Sequence, residues 1–396
     1  MSASGSSYVP NHVVMLVARF PPDLGGLEKQ AMLLARALVH NNVRVSVVTR
    51  NYGGYPRQEV IDGINVYRTP LIGTSPVLAS LSYSVFSLIW LLRNRKSYKL
   101  IHCYQTYSPT IIGVIAKMIL QKKVITKVTA SREMGEVDEI ERLPLTGIRK
   151  WLLRKVDKFV VVNQQIIYEM KRLGVHLDHI VHIPNGVIIP KEKAFVRAEK
   201  EDKRRNLGLD FKKIIVFAGR LSSEKGLDTL IDAWAEIREK IPEAHLILLG
   251  EGGTVRNVEP DLRNLVSKLK LNDRVHFWGK VDNVTDFLVA ADVFVLPSIS
   301  EGMSNALLEA MAIGTAIVTT LIDAHIGLIR DGVNGILIEP RNKTQLAQAI
   351  IRLLSDSQLR DNLGKSARND AEHFYSISSV VSQYLKIYSE LLHGKN

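Results

Sequence analysis

The sequence predicts an α/β chain of two doubly wound domains in series. Short apolar runs alternate with helix-length segments through the first half, and the same alternation restarts in the second. At roughly 100–200 residues per domain, 396 residues suffice for two cores. Apolar strands alternating with helices imply parallel sheets covered on both faces. A composition of 46% hydrophobic and 23% charged residues excludes a disordered or collagenous chain.

In the first half, an apolar strand at 13–18 leads through the turn PPDLGG into a helical stripe at Leu27, Ala31, Leu34, Ala35 and Leu38. Further strands are expected at 43–49, 100–102, 124–129 and 158–162, with helices at 109–119 and 164–173. IPNGV (183–187) makes a turn, and the charge run KEKAFVRAEKEDKRR then reads as a solvated interdomain connection over 190–205. Beyond it, strands are expected at 214–218, 245–249, 275–278, 293–297, 316–319 and 335–338. Helices are expected at 226–240, 261–270, 284–290, 305–312 and 344–354. The domains are therefore 1–190 and 191–376, facing across a cleft, with a final helix at 377–392 packing back on the first.

Net charge is +12, and all of it lies in the first half. Residues 1–190 carry 24 Lys+Arg against 12 Asp+Glu, while residues 191–396 carry 28 of each. That asymmetry calls for an anionic partner on the first half alone. Residues 71–92 contain no charge and precede RNRKSYK, but serines, a glycine and a proline interrupt them. A buried or surface-docked helix over 76–92 is expected there, not a membrane span. The single cysteine, Cys103, fits a reducing compartment, and the first residues do not read as a signal peptide.

Two loops gather the chemistry. FAGRLSSEKG (217–226) joins a strand to a helix, where ligands of open parallel sheets bind. Arg220 offers a planar fork to phosphate oxygens and Lys225 a mobile point charge, between them enough for a diphosphate of about −2. PSISEGMSNALLEAMAIG (297–314) follows another strand. Ser304 is the expected N-cap, leaving the amides of Asn305, Ala306 and Leu307 at a helix N-terminus, a natural phosphate site. Glu301 falls in the loop before that helix and Glu309 inside it. The first suits sugar hydroxyls and the second a ribose, whereas two surface glutamates would be the default if this loop stood alone.

GRLSSEKG, then EGMSNALLEAMA about 75 residues on, then DGVNGILI, closely resemble the family-four retaining glycosyltransferases of two-Rossmann GT-B architecture. PPDLGGLEKQ and IPNGV do so too, and the likeness runs from about residue 13 to 374. The resemblance places Arg220 and Lys225 on the donor diphosphate, Glu309 on the ribose and Glu301 on the donor sugar. Backbone groups around Asn305, Ala306 and Leu307 would contact sugar and phosphates, and those of Lys280 and Val281 the base. Gly25 and Gly26 resemble the glycine loop that approaches the phosphates from the opposite domain. Two departures stand out. KVTASREMGE has no histidine where many relatives carry one, and His102, on another strand, reads as a core residue. Asp323, Ala324, His325 and Gly327 replace the usual Gly-Gly and Glu, so sugar contacts there are not inherited.

The expectation is a retaining hexosyltransferase that moves a hexose-type sugar from a nucleotide diphosphate sugar, UDP ahead of GDP, to a glycan or lipid-linked acceptor. Cell-surface polysaccharide or glycolipid synthesis is the expected setting. With no Asp-x-Asp in the sequence, transfer is expected to be metal-independent and without a cofactor. A GT-B epimerase remains a rival, which E-x7-E argues against. So does a non-catalytic basic membrane-binding protein, against which intact Arg220, Lys225, Glu301 and Glu309 weigh. Nucleic acid is not an expected partner. Arg93, Arg95, Lys96 and Lys99 follow an apolar wedge of Ile89, Trp90, Leu91 and Leu92. That order predicts peripheral attachment to the anionic inner face of the cytoplasmic membrane.

Overall fold

The structure, a computed structural model, describes residues 10–22, 25–73, 75–130, 135–142, 145–253 and 256–394. Asp23 and Leu24 of the PPDLGG turn and residues 131–134 of KVTASREMGE lie outside them. The chain divides into two compact units. One runs to Gly186 and resumes at Ile377; the other is Val187–Ser376.

The first unit contains β1 (His12–Leu16), α1 (Gly26–His40), β2 (Arg44–Arg50), β3 (Gln58–Ile61), β4 (Ile64–Thr69), α2 (Pro76–Arg93) and β5 (Leu100–Tyr104). It continues with α3 (Ser108–Leu120), β6 (Lys123–Val128), α4 (Glu136–Arg142), α5 (Thr146–Leu153), β7 (Lys158–Val161), α6 (Gln164–Arg172) and β8 (Ile180–His182). The eight strands form one sheet in the order β3-β4-β2-β1-β5-β6-β7-β8. β1 pairs in parallel with β2 and β5, Val14 lying opposite Ser46 and Ile101. Every residue of β1 and β5 is buried, as a sheet covered on both faces requires. The sheet is not parallel throughout. β3 runs antiparallel to β4 at the edge, through a tight turn at Asp62 and Gly63 with φ of +50° and +78°.

The second unit contains α7 (Arg197–Asn206), β9 (Lys213–Ala218), α8 (Leu227–Lys240), β10 (Ala244–Leu249), α9 (Glu259–Lys268), β11 (Val275–Gly279), α10 (Val284–Ala290) and β12 (Val293–Leu296). α11 (Asn305–Ile313), β13 (Ala316–Thr320), α12 (Asp323–Ile326), β14 (Ile336–Ile338), α13 (Lys343–Ser355) and α14 (Ser357–Asp370) complete it. Its six-stranded parallel sheet has the order β11-β10-β9-β12-β13-β14. The chain then returns to the first unit as α15 (Ile377–His393), packing Val380, Tyr384 and Tyr388 into the core beneath α1.

The charge run corrects the sequence reading. Residues 190–205 are not a solvated connection between domains but part of the second unit, whose boundary falls at Val187. Asp292, buried before β12, accepts from Arg204 (2.8 Å), Lys200 (3.2 Å) and the Ile214 amide (2.8 Å), so α7 is bolted to the sheet. Buried Arg368 donates to the carbonyls of Pro190 (2.6 Å) and Glu192 (2.9 Å). One face of the run is held by these bonds, and a flexible linker would deprive buried Asp292 of its two nearest cations.

A polar cluster lies in the first core. His102 is buried, its Nδ1 hydrogen-bonded to the Tyr388 hydroxyl at 2.6 Å, and burial followed by the charge of Lys127 pushes its pKa down to about 3. Lys127 on β6 is 2% exposed, lies over the Tyr384 ring at 5.9 Å, and forms no ion pair among the described residues. Burial pulls its pKa down to about 7. The unfolded chain keeps that proton to about pH 10.4, so above about pH 7 the unfolded state binds more protons and stability rises with pH. Between about pH 7 and pH 8, below the reference value of about 8.5 at which the Cys103 thiol titrates in the unfolded chain, the rise should be roughly 1 kcal/mol. Urea denaturation at those two pH values checks this, and Lys127→Met should be more stable at the lower pH and lose the rise.

Candidate active site

The strand order of the second unit sets the position of its site. From β9 the chain winds outward through β10 and β11, and from β12 it winds the other way through β13 and β14. β9 and β12 are neighbours, so the crevice outside their carboxyl ends is the topological switch point, where open α/β sheets bind ligands. The loops that leave these two strands are those holding Arg220, Lys225 and Glu301.

Backbone contacts lock the two loops together. Gly226 has φ of +63°, and a Cβ there would lie 2.3 Å from the Pro297 carbonyl oxygen, so only glycine permits this approach. Two residues away, the Ile299 amide donates to the Glu224 carbonyl at 2.8 Å. On the other side, the Gly219 amide donates to Leu249 O (2.9 Å) and the Leu221 amide to Glu251 O (3.0 Å). The carboxyl ends of β9, β10 and β12 thus form one rigid rim.

On that rim Lys225 and Glu301 make a direct ion pair, each side chain only 12% exposed. Ser298 Oγ also donates to Glu301 Oε1 at 2.9 Å. Burial alone would raise the Glu301 pKa, but the Lys225 ammonium and these hydrogen bonds hold it below the ordinary carboxylate value. Arg220 differs: its side chain is 62% exposed and rests against Glu224 Oε1 at 3.3 Å. Glu224 is buried, with Oε1 taking Ser222 Oγ at 2.7 Å and Oε2 left without a partner. It is a structural carboxylate that orients Arg220, and the sequence reading passed over it.

Ser304 caps α11 through the Leu307 amide at 3.4 Å. That bond narrows the expected phosphate site, because Leu307 is buried and its N–H is already spent. Asn305 and Ala306 are half-buried, and Glu309 lies half-buried in the second turn. Exposed Lys280 follows β11, its amide reaching Glu251 Oε1 at 3.4 Å, with half-buried Val281 next to it. Gly25 and Gly26 belong to the other unit. There they open α1 at the β1/β5 switch point, the Gly25 amide donating to Glu28 Oε2 at 3.0 Å.

His325 is the residue that sequence reasoning left without a role. It is fully buried in α12. The hydroxyls of Thr319 and Thr320 donate to the carbonyls of Leu296 (2.7 Å) and Ser298 (2.5 Å). Their oxygens and the Thr320 carbonyl (3.1 Å) therefore face Nδ1 as acceptors. Nδ1 must carry the proton, and Nε2 is a bare, buried acceptor without a partner. Burial, offset in part by Glu301, pushes its pKa down to about 4, so the ring is neutral near pH 7. A histidine five residues past the last β13 residue was a visible signal, but nothing in the spacing ties it to Glu301.

Comparisons with known proteins bear on the family and the fold. Residues 199–370 match the family described as "Glycosyl transferases group 1" and residues 24–189 match "Glycosyltransferase Family 4". An uncharacterized glycosyltransferase of Methanocaldococcus jannaschii is 28% identical over 95% of this chain and 97% of its own. The N,N'-diacetylbacillosaminyl-diphospho-undecaprenol alpha-1,3-N-acetylgalactosaminyltransferase of Campylobacter jejuni is 27% identical over 66% of this chain and 67% of its own. HepE of Anabaena, solved in complex with UDP, superposes with a TM-score of 0.79 at 20% identity, covering 96% of this chain and 100% of that one. The two family matches follow one another across both units, and the chain belongs to the family-four, group 1 glycosyltransferases of GT-B fold.

Proposed function

We propose that the second unit binds a nucleotide diphosphate sugar at the β9/β12 switch point and passes its hexose-type sugar, with retained configuration and without a metal ion, to a glycan or lipid-linked acceptor held by the first unit. The observation that carries this is the buried Lys225–Glu301 pair with Arg220 beside it. An ammonium has three N–H donors, so Lys225 can keep Glu301 while turning another donor to a phosphate oxygen. As the anomeric C–O bond breaks, charge grows on the leaving diphosphate, and Arg220, Lys225 and the first amides of α11 stabilise it there. No carboxylate nucleophile is assigned, so the acceptor oxygen bonds to the anomeric carbon on the face the diphosphate leaves. The acceptor proton passes to the departing phosphate. The UDP bound to the similar HepE fold supports a UDP-sugar, and the diphospho-undecaprenol named for the Campylobacter relative supports a lipid-linked acceptor. Such a role places the protein in the cytoplasm, against the inner face of the membrane.

Calorimetric titration with UDP and GDP tests the donor; absence of binding by either overturns the reading. Arg220→Ala and Lys225→Ala should each weaken donor binding or transfer by about 1.5–3 kcal/mol. Both variants should also melt earlier, because Lys225→Ala strands buried Glu301 and Arg220→Ala strands buried Glu224. Glu309→Gln should mainly raise the donor KM and Glu301→Gln mainly lower kcat; trivial effects from both would leave Glu301 a structural partner of Lys225 and Glu309 without a donor role.

Turnover should persist in excess EDTA, since side chains and helix amides supply the charge a divalent ion would bring. Loss on chelation, restored by Mg²⁺ or Mn²⁺, would show otherwise.

His325 offers a separate check. Replacing it with Phe removes a buried imidazole that is electrostatically coupled to Glu301, whereas Gln keeps an acceptor at the ε position. Only the Phe variant should change the pH profile of kcat.

A further inference from the structure

The outer helical layer of the first unit is apolar where it should be polar. α2 buries Tyr83, Ser87 and Leu91 in the fold, each with no exposed surface. Val77, Leu81, Val85, Leu88 and Leu92 recur at four- and three-residue steps on a flank about 120° round the helix from those residues, within about 80° of arc at 100° per residue. Val77 is 76%, Leu81 59% and Val85 47% exposed, with Leu88 and Leu92 partly so. A helix that is apolar all round is normally buried all round. This one is not, and the 17 of its 18 residues that precede Arg93 carry no acidic or basic side chain.

The neighbouring helices extend the surface. α2 packs on α3 and α3 on α5. Met118 and Ile119 at the end of α3 and Ile148 and Trp151 on α5 are exposed. This corrects the wedge read from the sequence. Leu91 is buried and Trp90 lies against Tyr67 at 4.9 Å, so of that wedge Leu92 joins the exposed stripe while Trp90 and Leu91 are engaged by the fold.

Cations border this surface. Arg93, Arg95, Lys96 and Lys99 are exposed, and none forms an ion pair among the described residues. Lys122, just after α3, donates to the Arg95 carbonyl at 2.7 Å, and burial together with Lys99 lowers its pKa. Like charges crowded without carboxylates, beside an apolar stripe, are complementary to anionic headgroups over acyl chains. Among the described residues no helix is long and apolar enough to cross a membrane. α2 is therefore fit to lie in a leaflet surface rather than to span it.

We propose that the α2–α3–α5 face docks on an anionic lipid surface, the stripe from Val77 to Leu92 entering the headgroup layer and Arg95, Lys96, Lys99 and Lys122 binding its phosphates. This deepens the membrane attachment proposed above and rests on it, but not on the donor site. The experiment is sedimentation of the full chain with phosphatidylcholine vesicles, with and without phosphatidylglycerol, at low and high salt. The chain should pellet only with phosphatidylglycerol and detach as salt rises. Leu81→Asp with Val85→Asp should weaken binding at least tenfold. Arg95→Gln, Lys96→Gln and Lys99→Gln together should weaken it on the order of 100-fold at low salt. All these positions are exposed, and an unchanged circular-dichroism melt confirms folding.

Pelleting with neither vesicle overturns the proposal. So does binding that survives the aspartates, which would be electrostatic alone. A lipid-free dimer in light scattering that Leu81→Asp dissolves would make the occupant a second copy of the chain, and that too overturns it. UDP titration of the same variants reads the donor site independently, so failure of one reading is not mistaken for failure of the other.

Discussion

The close approach of the loops after β9 and β12 is the constraint on which the chemistry of the second unit depends. With a side chain at position 226 the Glu224–Ile299 bond could not form, and Lys225 and Glu301 would no longer share a buried pair. Neither charge is tolerable there alone, because removing one partner of such a pair leaves an uncompensated charge out of water. A backbone contact without side chains therefore fixes where two ionised groups stand. The bolt between α7 and Asp292 repeats the logic at the opposite end of the sheet, since Asp292 immediately precedes β12. Position and charge are set by the same strand at both ends.

The two units share a winding but use their interiors differently. The second packs an apolar core around Trp234, Phe217 and Phe294 and keeps its buried charges near strand ends. The first carries His102, Lys127 and three tyrosines between its sheet and α15, with His102 Nε2, Tyr104 OH and Tyr384 OH lacking partners. Buried polar atoms without hydrogen bonds cost about 1–3 kcal/mol each, so this core is held at the expense of stability. The returning helix α15 supplies two of those tyrosines and closes the cluster.

Much of this was legible from the residues. Strands of the parallel sheets are continuous apolar runs, and such runs with helices between them specify the winding almost by themselves. The chemical loops were legible because Arg220, Lys225, Glu301 and Ser304 sit directly after predicted strands, where the topology brings loops together. What escaped has identifiable causes. The β3/β4 hairpin hides in QEVIDGINVYRT, where Asp62-Gly63 is a turn signal but β3 is only four residues long and half-exposed. α14 escaped because its buried side is made of Leu363, Gly364, Ala367 and Arg368, too small and polar for an apolar stripe. The 190–205 run looked solvated because charge patterning cannot show that Asp292, almost ninety residues on, is its partner. His325 was visible as a residue but not as a neighbour of Glu301, a relation only the fold supplies.

The division between Lys225 and Arg220 bears on how such a site captures an anion. Lys225 is ordered in advance by Glu301, so its entropy of fixation is met in folding and not at binding. Arg220 is largely in water and held only at its root by Glu224, free to reach and then clamp. A site with both cations buried would have to desolvate them against each other, and one with both exposed would need to order two long side chains at once. One fixed and one mobile cation avoids both costs. On the proposed donor reading it would also let a half-chain with equal numbers of acidic and basic residues hold a diphosphate, because the attraction would be local, carried by two placed groups and a helix end, and would need no net charge. The positive excess of the first half is consequently free for a different partner.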